Sequence, residues 1–362
     1  MTEQAIDNAR DVREGEELDV TKLAPYLSEQ IEGFGAQLSL KQFRSGHSNL
    51  TYLIEDGAHP SGFVLRRPPF GAQVKSGHDM SREYNVMAHL YPHWPKVPKP
   101  YVLCEDDDVL GAPFYVMERV VGVILRGSDP KNVDLGEENM ARVCDAFIDT
   151  LVEIHALDID EVGLADFGKP EGYIERQITG WTRRWHKAKT DEVEVIEEVA
   201  AWLAQNMPED GAPAVIHNDF KYDNLVLDPD DLSKVRAVLD WEMATIGDPL
   251  MDLGSALAYW VEPTDSFVLQ QLRFGPTTKP GNLTRQQLVD RYAERSGRDV
   301  SNFLFYYAYG LFKVAVVAQQ IYYRYKHGFT QDQRFAGLLF AVQALGEAAS
   351  QAIESGKISA DG

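Results

Sequence analysis

Residues 215–224, "VIHNDFKYDN", crowd His217, Asp219, Lys221 and Asn224 into one short stretch directly behind an apolar run. The order fits His-x-Asp-x-x-x-x-Asn, and Asp240 comes sixteen residues after Asn224 in "AVLDWE". This is the catalytic-loop arrangement of phosphoryl transfer. One carboxylate takes the proton of the attacking hydroxyl, while an amide oxygen and a second carboxylate bind Mg²⁺ beside the nucleotide phosphates. Asp219 is then the expected base, and Asn224 and Asp240 the expected metal ligands, since a cation as hard as Mg²⁺ wants oxygen donors and few of them from protein. Lys221 would neutralise charge on the transferred group. His217 is expected to brace the loop by hydrogen bonding and not to move a proton.

Other candidate motifs fail on order or spacing. "ADFG" at 165–168 mimics a metal-binding Asp-Phe-Gly, but it precedes Asp219, whereas the metal-binding Asp must come after the base, so Asp166 reads as a loop residue. No Lys-Ser/Thr P-loop and no Gly-x-Gly-x-x-Gly after a strand is present, and no His/Cys group has zinc spacing. His155, at the end of an apolar helical stripe, reads as a satisfied core histidine. Cys104 and Cys144 are the two cysteines, too few for a disulfide framework, and read as reduced, packed thiols.

The elements that must carry these residues change character along the chain. "LSLKQF", "LTYLIE" and "GFVLRR" within 38–67 alternate with Gly- and Asp-containing turns, which predicts antiparallel strands. "SREYNVMAHL" (81–90) repeats Tyr84, Met87 and Leu90 at helical spacing, with Ser81 as its expected N-cap. Strands are expected again at 99–105 and 113–120. Beyond Val120 helical stripes dominate, as in Met140, Val143, Cys144, Phe147, Leu151 and Ile154. Two strand-like islands interrupt them: "PAVIHND", and a hairpin, "NLVLDPDDLSKVRAVLDW", with "DPDD" as its turn. The expected division is an N-terminal lobe over 1–119 and a helical C-terminal lobe over 120–362, with a cleft between lobes as the favoured ligand site.

The chain has 362 residues, 44% hydrophobic, with a formal charge of -21 from 56 acidic and 35 basic side chains. That balance repels phosphate backbones and anionic headgroups, so nucleic acid and membrane surfaces are unexpected partners. The run Phe303 to Tyr325 is the most apolar, but Lys313, Gln319, Gln320 and Arg324 interrupt it, which predicts a buried helix. "MTEQAIDNARDVREGEELDV" lacks the basic start and apolar core of a secretory signal, which predicts a cytoplasmic protein.

The stretches "VIHNDFKYDNLVLDP" and "VRAVLDWEMATIGDPLMDLGSAL" resemble the aminoglycoside phosphotransferase and choline kinase superfamily, and most of all the kinase-like module found beside acyl-CoA dehydrogenases. The resemblance covers roughly 30–350. It implies an α+β, two-lobed protein-kinase-like fold, with a small antiparallel sheet in the N-lobe and a larger, mainly helical C-lobe. Carried over by position, Asp219 matches the base, Asn224 and Asp240 the metal ligands, and Asp252 in "GDPLMDL" a structural carboxylate that holds the catalytic loop. "FRSGHSNLTYLIEDG" resembles the nucleotide-covering loop, with Gly46, Ser48 and Asn49 offering groups to phosphates. Arg66 occupies the strand position where relatives carry a phosphate-binding Lys; it keeps the charge and adds a planar fork. Glu83 matches its helix partner, the bland alternative being a solvated carboxylate. Met117, Glu118 and Val120 fall at the hinge, where backbone groups meet an adenine edge.

"RQITGWTRRWHKAK" carries Arg176, Arg183 and Arg184 with Lys187 and Lys189 and no acid. It reads either as a solvated helix face or as an anion site for the substrate, with Trp181 and Trp185 available to stack on a planar ring. The function implied is an ATP- and Mg²⁺-dependent kinase acting on a small-molecule hydroxyl, with a hydroxyacyl-CoA or related metabolite favoured over an aminoglycoside. The alternative is a catalytically silent, nucleotide-binding regulatory module, kept open by Arg66.

Overall fold

A computed structural model describes residues 9–35, 37–43, 49–71 and 79–359. The chain packs as two compact units. The first comprises Met1–Leu125, Pro130–Val133 and Asn224–Ala244; the second comprises Arg126–Asp129, Asp134–Asp223 and Thr245–Gly362.

The first unit begins with helix α1 (Val20–Gln30) and strands β1 (Ser39–Phe43), β2 (Leu50–Glu55) and β3 (Phe63–Arg67). Helix α2 (Met80–Leu90), β4 (Pro100–Cys104), the short α3 (Asp107–Leu110) and β5 (Phe114–Glu118) come next. The five strands form one antiparallel sheet in the order β1-β2-β3-β5-β4. β3 is buried along its whole length, Arg66 and Arg67 included, as expected of a central strand. Helix α2 starts at Met80, two residues before the first turn expected behind a Ser81 cap. Asp79, not Ser81, caps it, accepting from the Arg82 N–H at 3.1 Å, and the Ser81 hydroxyl donates to Glu105 instead. A carboxylate is a strong N-cap and complements the helix dipole.

The second unit holds α4 (Glu137–His155), α5 (Tyr173–Ala188), α6 (Glu194–Gln205) and β6 (Ala214–Ile216). The hairpin of β7 (Leu225–Leu227) and β8 (Val235–Val238) belongs to the first unit. Its turn is organised by Asp228, whose carboxylate accepts the N–H groups of Asp230 and Asp231 and pairs with Arg236. The second unit resumes with β9 (Thr245–Gly247), α7 (Pro249–Ala258), the short α8 (Phe267–Gln271), α9 (Arg285–Ser296), α10 (Phe303–Lys326) and α11 (Leu338–Ser355). Asp248 caps α7 by accepting from Leu250 and Met251, and Pro249 fills the first helical position, where a missing N–H costs nothing.

α10 is the expected buried helix, packed against α7, α11, α5 and α6. Among the described residues, one segment, Gln333–Ser355, is long and apolar enough to cross a bilayer by length and composition. Its α11 stripe from Ala341 to Ala352 is buried against α10 and α6, the usual behaviour of a core helix. Cys104 and Cys144 are unpaired and buried, and burial pushes the Cys144 thiol up to about 11.

Candidate active site

In the second unit, β6 delivers the chain into the loop His217–Asp219, whose backbone is organised by a single buried carboxylate. Asp252, from the first turn of α7, accepts the N–H of His217 at 2.6 Å and of Asn218 at 2.7 Å. His155 Nε2 lies 3.1 Å from the same carboxylate, and its Nδ1 lies 2.8 Å from the Tyr292 hydroxyl. Burial opposes the charge of Asp252, but the His155 and His217 contacts hold its carboxyl below the usual range. A carboxylate with this many donors is a fixed anchor. His155 is therefore a satisfied core histidine whose job is to orient Asp252.

The backbone of the loop is bent to suit. Asn218 has φ +66°, a left-handed conformation that few side chains other than Asn and Asp accept. The Asp219 N–H then turns back onto His217 Nδ1 at 3.2 Å, so the His217 ring braces the loop. The Asp219 carboxylate is paired with the Lys221 ammonium, which also lies 3.8 Å from Asp223 and 5.2 Å from the centre of the Tyr259 ring. Burial works against the Lys221 charge, yet Asp219 and its neighbours hold it well above the ordinary lysine range. The Tyr259 hydroxyl is pushed up by burial and by Asp219. The second unit thus presents a carboxylate, a fixed cation and a phenol.

The first unit gathers the remaining polar residues. Asn224 leads into β7, and its carbonyl accepts the Leu239 N–H at 2.8 Å, so the hairpin register sets Asp240 one residue beyond that bond. Asp240 is also left-handed, with φ +69°, and opens the 3-10 turn Trp241–Met243. Arg66 Nη1 lies 2.5 Å from Glu83 and 3.0 Å from Asp240, and its Nη2 lies 3.5 Å from Glu242. Asn49 donates to Glu242 at 2.9 Å. Glu83 is 1% exposed, so the solvated reading of this carboxylate is excluded. Its carboxyl is pushed up to about 6 by burial, with Arg66 opposing.

Of the remaining expected residues, Gly46 and Ser48 lie outside the described residues. Met117 and Glu118 end β5, where the Glu118 N–H is taken by the Lys99 carbonyl at 2.8 Å; Val120 lies just past the strand. Arg176, Arg183 and Arg184 are exposed on α5. Arg176 donates to the carbonyls of Lys169 and Glu171, and Arg184 lies 4.5 Å above the Trp181 ring. Trp181 and Trp185 are buried, Trp185 donating to Glu197 at 2.9 Å, so neither ring is open to a ligand as the sequence suggested. The reason is the helical period, which turns both indoles inward while the cations between them face water. Asp166 is exposed in a 3-10 turn.

Sequence reasoning missed Tyr259, Glu242, Tyr292 and, above all, Lys313. The last was visible as a cation in an apolar helix, but its target was not. As donors, Asn224 and Asp240 offer one amide and one carboxylate oxygen, a set that fits Mg²⁺, which keeps several waters and phosphate oxygens. Among the described residues no group of three or more His, Cys, Asp or Glu side chains could hold a metal ion.

Residues 39–284 match the model of the phosphotransferase enzyme family. The chain is 34% identical to acyl-CoA dehydrogenase family member 11 of Gallus gallus over 328 residues, covering 88% of this chain and 41% of the relative. It is 33% identical to the Homo sapiens protein of the same name, covering 92% and 43%. The chain therefore spans about two-fifths of the length of these relatives. Among solved structures it is similar to a Ralstonia eutropha protein named for aminoglycoside phosphotransfer, at 28% identity and TM-score 0.79, covering 94% and 99% of the two chains. It shares the fold of choline kinase from Cryptosporidium parvum at 12% identity and TM-score 0.63, covering 93% and 97%.

Proposed function

This chain belongs to the phosphotransferase enzyme family, and on that premise we propose that it transfers the γ-phosphoryl group of ATP to a hydroxyl of a small molecule. The observation that carries the reading is the Asp219 loop, bent at Asn218 and anchored on the buried Asp252, with Lys221 paired to Asp219 itself. Asp219 takes the proton of the acceptor hydroxyl as its oxygen bonds to the γ-phosphorus. The bond from that phosphorus to the bridging oxygen breaks, and ADP leaves with the electron pair. Lys221 offsets negative charge on the moving group. Asn224 and Asp240 would hold Mg²⁺, which when bound supplies charge neutralisation on the nucleotide phosphates. Arg66 steadies Asp240 and Glu83.

For the acceptor we favour a hydroxyacyl-CoA or related metabolite over an aminoglycoside. Support comes from the names of the relatives and from the exposed Arg183 and Lys187 on α5, whose side chains make no hydrogen bond or ion pair with another described residue. The cytoplasm is the fitting compartment, since it keeps buried thiols such as Cys104 and Cys144 reduced.

A second reading, a silent nucleotide-binding module, draws on Arg66, whose guanidinium is enclosed by three carboxylates. The test is a thermal shift with Mg-ATP, then an acceptor screen over hydroxyacyl-CoAs, amino alcohols and aminoglycosides. Turnover that Asp219→Asn abolishes, with the ATP-dependent shift retained, supports the kinase. A shift without turnover for any acceptor supports the silent module.

A further inference from the structure

α7 and α10 cross with their backbones in contact. A Cβ on Gly254 would sit 2.1 Å from the Tyr306 carbonyl oxygen, and one on Gly310 would sit 2.1 Å from the Gly254 carbonyl oxygen. One turn beyond Gly310, this close crossing brings Lys313 to the residue after Gly254 and to the loop behind it. Lys313 is 4% exposed, between the buried Phe312 and Ala315. Its Nζ donates to the Asn218 carbonyl at 2.7 Å and to Ser255 Oγ at 3.2 Å.

That carbonyl belongs to the peptide unit entering Asp219, whose N–H is already taken by His217 Nδ1. Because a peptide is planar, holding both of its polar ends fixes the plane from which the Asp219 side chain departs. A left-handed residue needs such support, since its conformation persists only where its surroundings over-determine it. Burying an ammonium is costly, and an apolar side chain would suffice for packing α10. We propose that Lys313 is a positioning residue for the phosphoryl-transfer base: by gripping the Asn218 carbonyl it holds Asp219 in its working orientation. This rests on the assignment of Asp219 given above.

The surroundings give the proposal a signature. Burial lowers the Lys313 ammonium to about 8, against the carboxylates of Asp252 and Asp219, while Lys221 and Arg184 add to the lowering. A charged donor makes a hydrogen bond roughly twice as strong as a neutral one, so loss of this proton loosens the loop.

The test compares the full wild-type chain with Lys313→Met, which keeps length and volume but cannot donate, and Lys313→Arg, which keeps a permanent charge. In the nucleotide-free chain, Lys313→Met should speed amide exchange at Asn218–Phe220 by about tenfold, with other segments unchanged. With Mg-ATP and water as acceptor, kcat for Lys313→Met should fall by roughly 10- to 100-fold, the cost of a misplaced catalytic group. KM for ATP should stay within about threefold. Lys313→Arg should recover most of the rate, and the wild-type decline above about pH 8 should be absent from it. Wild-type kcat and exchange in Lys313→Met would overturn the proposal, as would equal impairment of both variants. An Asp219→Asn chain that still turns over ATP at the wild-type rate would remove the base assignment instead, and the exchange measurement would still decide whether Lys313 holds the loop.

Discussion

Arg66 Nη1 lies 3.0 Å from Asp240 Oδ1, joining two residues 174 positions apart within one packed unit. The same nitrogen reaches Glu83, and the whole fork is buried in β3. A lysine would offer one point charge where three carboxylates converge, whereas a guanidinium distributes its donors over a plane. The arginine that departs from the usual residue is thus matched to its surroundings.

Arg66→Ala and Arg66→Lys should therefore differ. Removing the cation leaves Glu83 buried and unpaired, and breaking such a pair costs about 3–5 kcal/mol. Arg66→Lys keeps a charge and should lose only about 1 kcal/mol, with KM for ATP raised by less than about tenfold, because one of the fork's hydrogen bonds is lost. Urea denaturation and ATP titration read the two effects.

Glu83 gives a dependence on pH. Its carboxyl stands at about 6 when folded against 4.5 in the open chain, chiefly because burial disfavours the charge. The folded state therefore holds this proton more tightly. The stability it contributes is fully present below 4.5 and is lost as pH rises through 6, amounting to about 2 kcal/mol. Urea midpoints for wild type and Glu83→Gln, measured between pH 4 and pH 7, should show the decline in the former and its absence in the latter. Parallel curves would refute the shift.

The parts of this site that were legible in the sequence are those whose residues lie close along the chain. Asp219, Lys221 and Asn224 share one loop, and the period-2 and period-3.6 patterns located most strands and helices. What a linear reading could not supply is direction. Glu83 is matched to Arg66 only by the resemblance, with a solvated carboxylate as the alternative, until the fold buries the pair, and Trp181 and Trp185 read as available until α5 has a buried face. In the sequence Lys313 is an interruption of an apolar run, because nothing local shows that two glycines 56 residues apart bring its helix against Asn218. Ser81 lost its cap role to Asp79, two positions earlier, a small error of boundary with an acidic residue as the better cap.

The exposed cations of α5 separate the two acceptor readings. Arg183 and Lys187 lie one turn apart on the solvent side of the helix. If they meet an anionic acceptor, the double change Arg183→Ala with Lys187→Ala should raise KM for that acceptor by about tenfold and leave kcat alone, the pattern of lost uniform binding. The effect should shrink as salt is raised, since exposed charges are screened over roughly 8–10 Å at physiological ionic strength. An unchanged KM would return these residues to an ordinary solvated face.

The glycine pair supplies a test that is independent of any ligand. A Cβ at Gly310 or Gly254 would have to displace backbone, not a flexible side chain. Overpacking of this kind costs about 1–3 kcal/mol, and more where backbone must move. Gly310→Ala should therefore lower the melting temperature, although alanine is the better helix former by about 1 kcal/mol. Gly346 in α11 is a graded comparison: its added Cβ would meet side-chain atoms of Ile196 and Val195 at 2.8 Å, which can shift. Gly346→Ala should thus be the milder change, and a scan of the single variants by differential calorimetry checks the order. Because Lys313 rides on the same crossing, Gly310→Ala should also loosen the Asn218–Phe220 amides, whereas Gly346→Ala should leave their exchange unchanged.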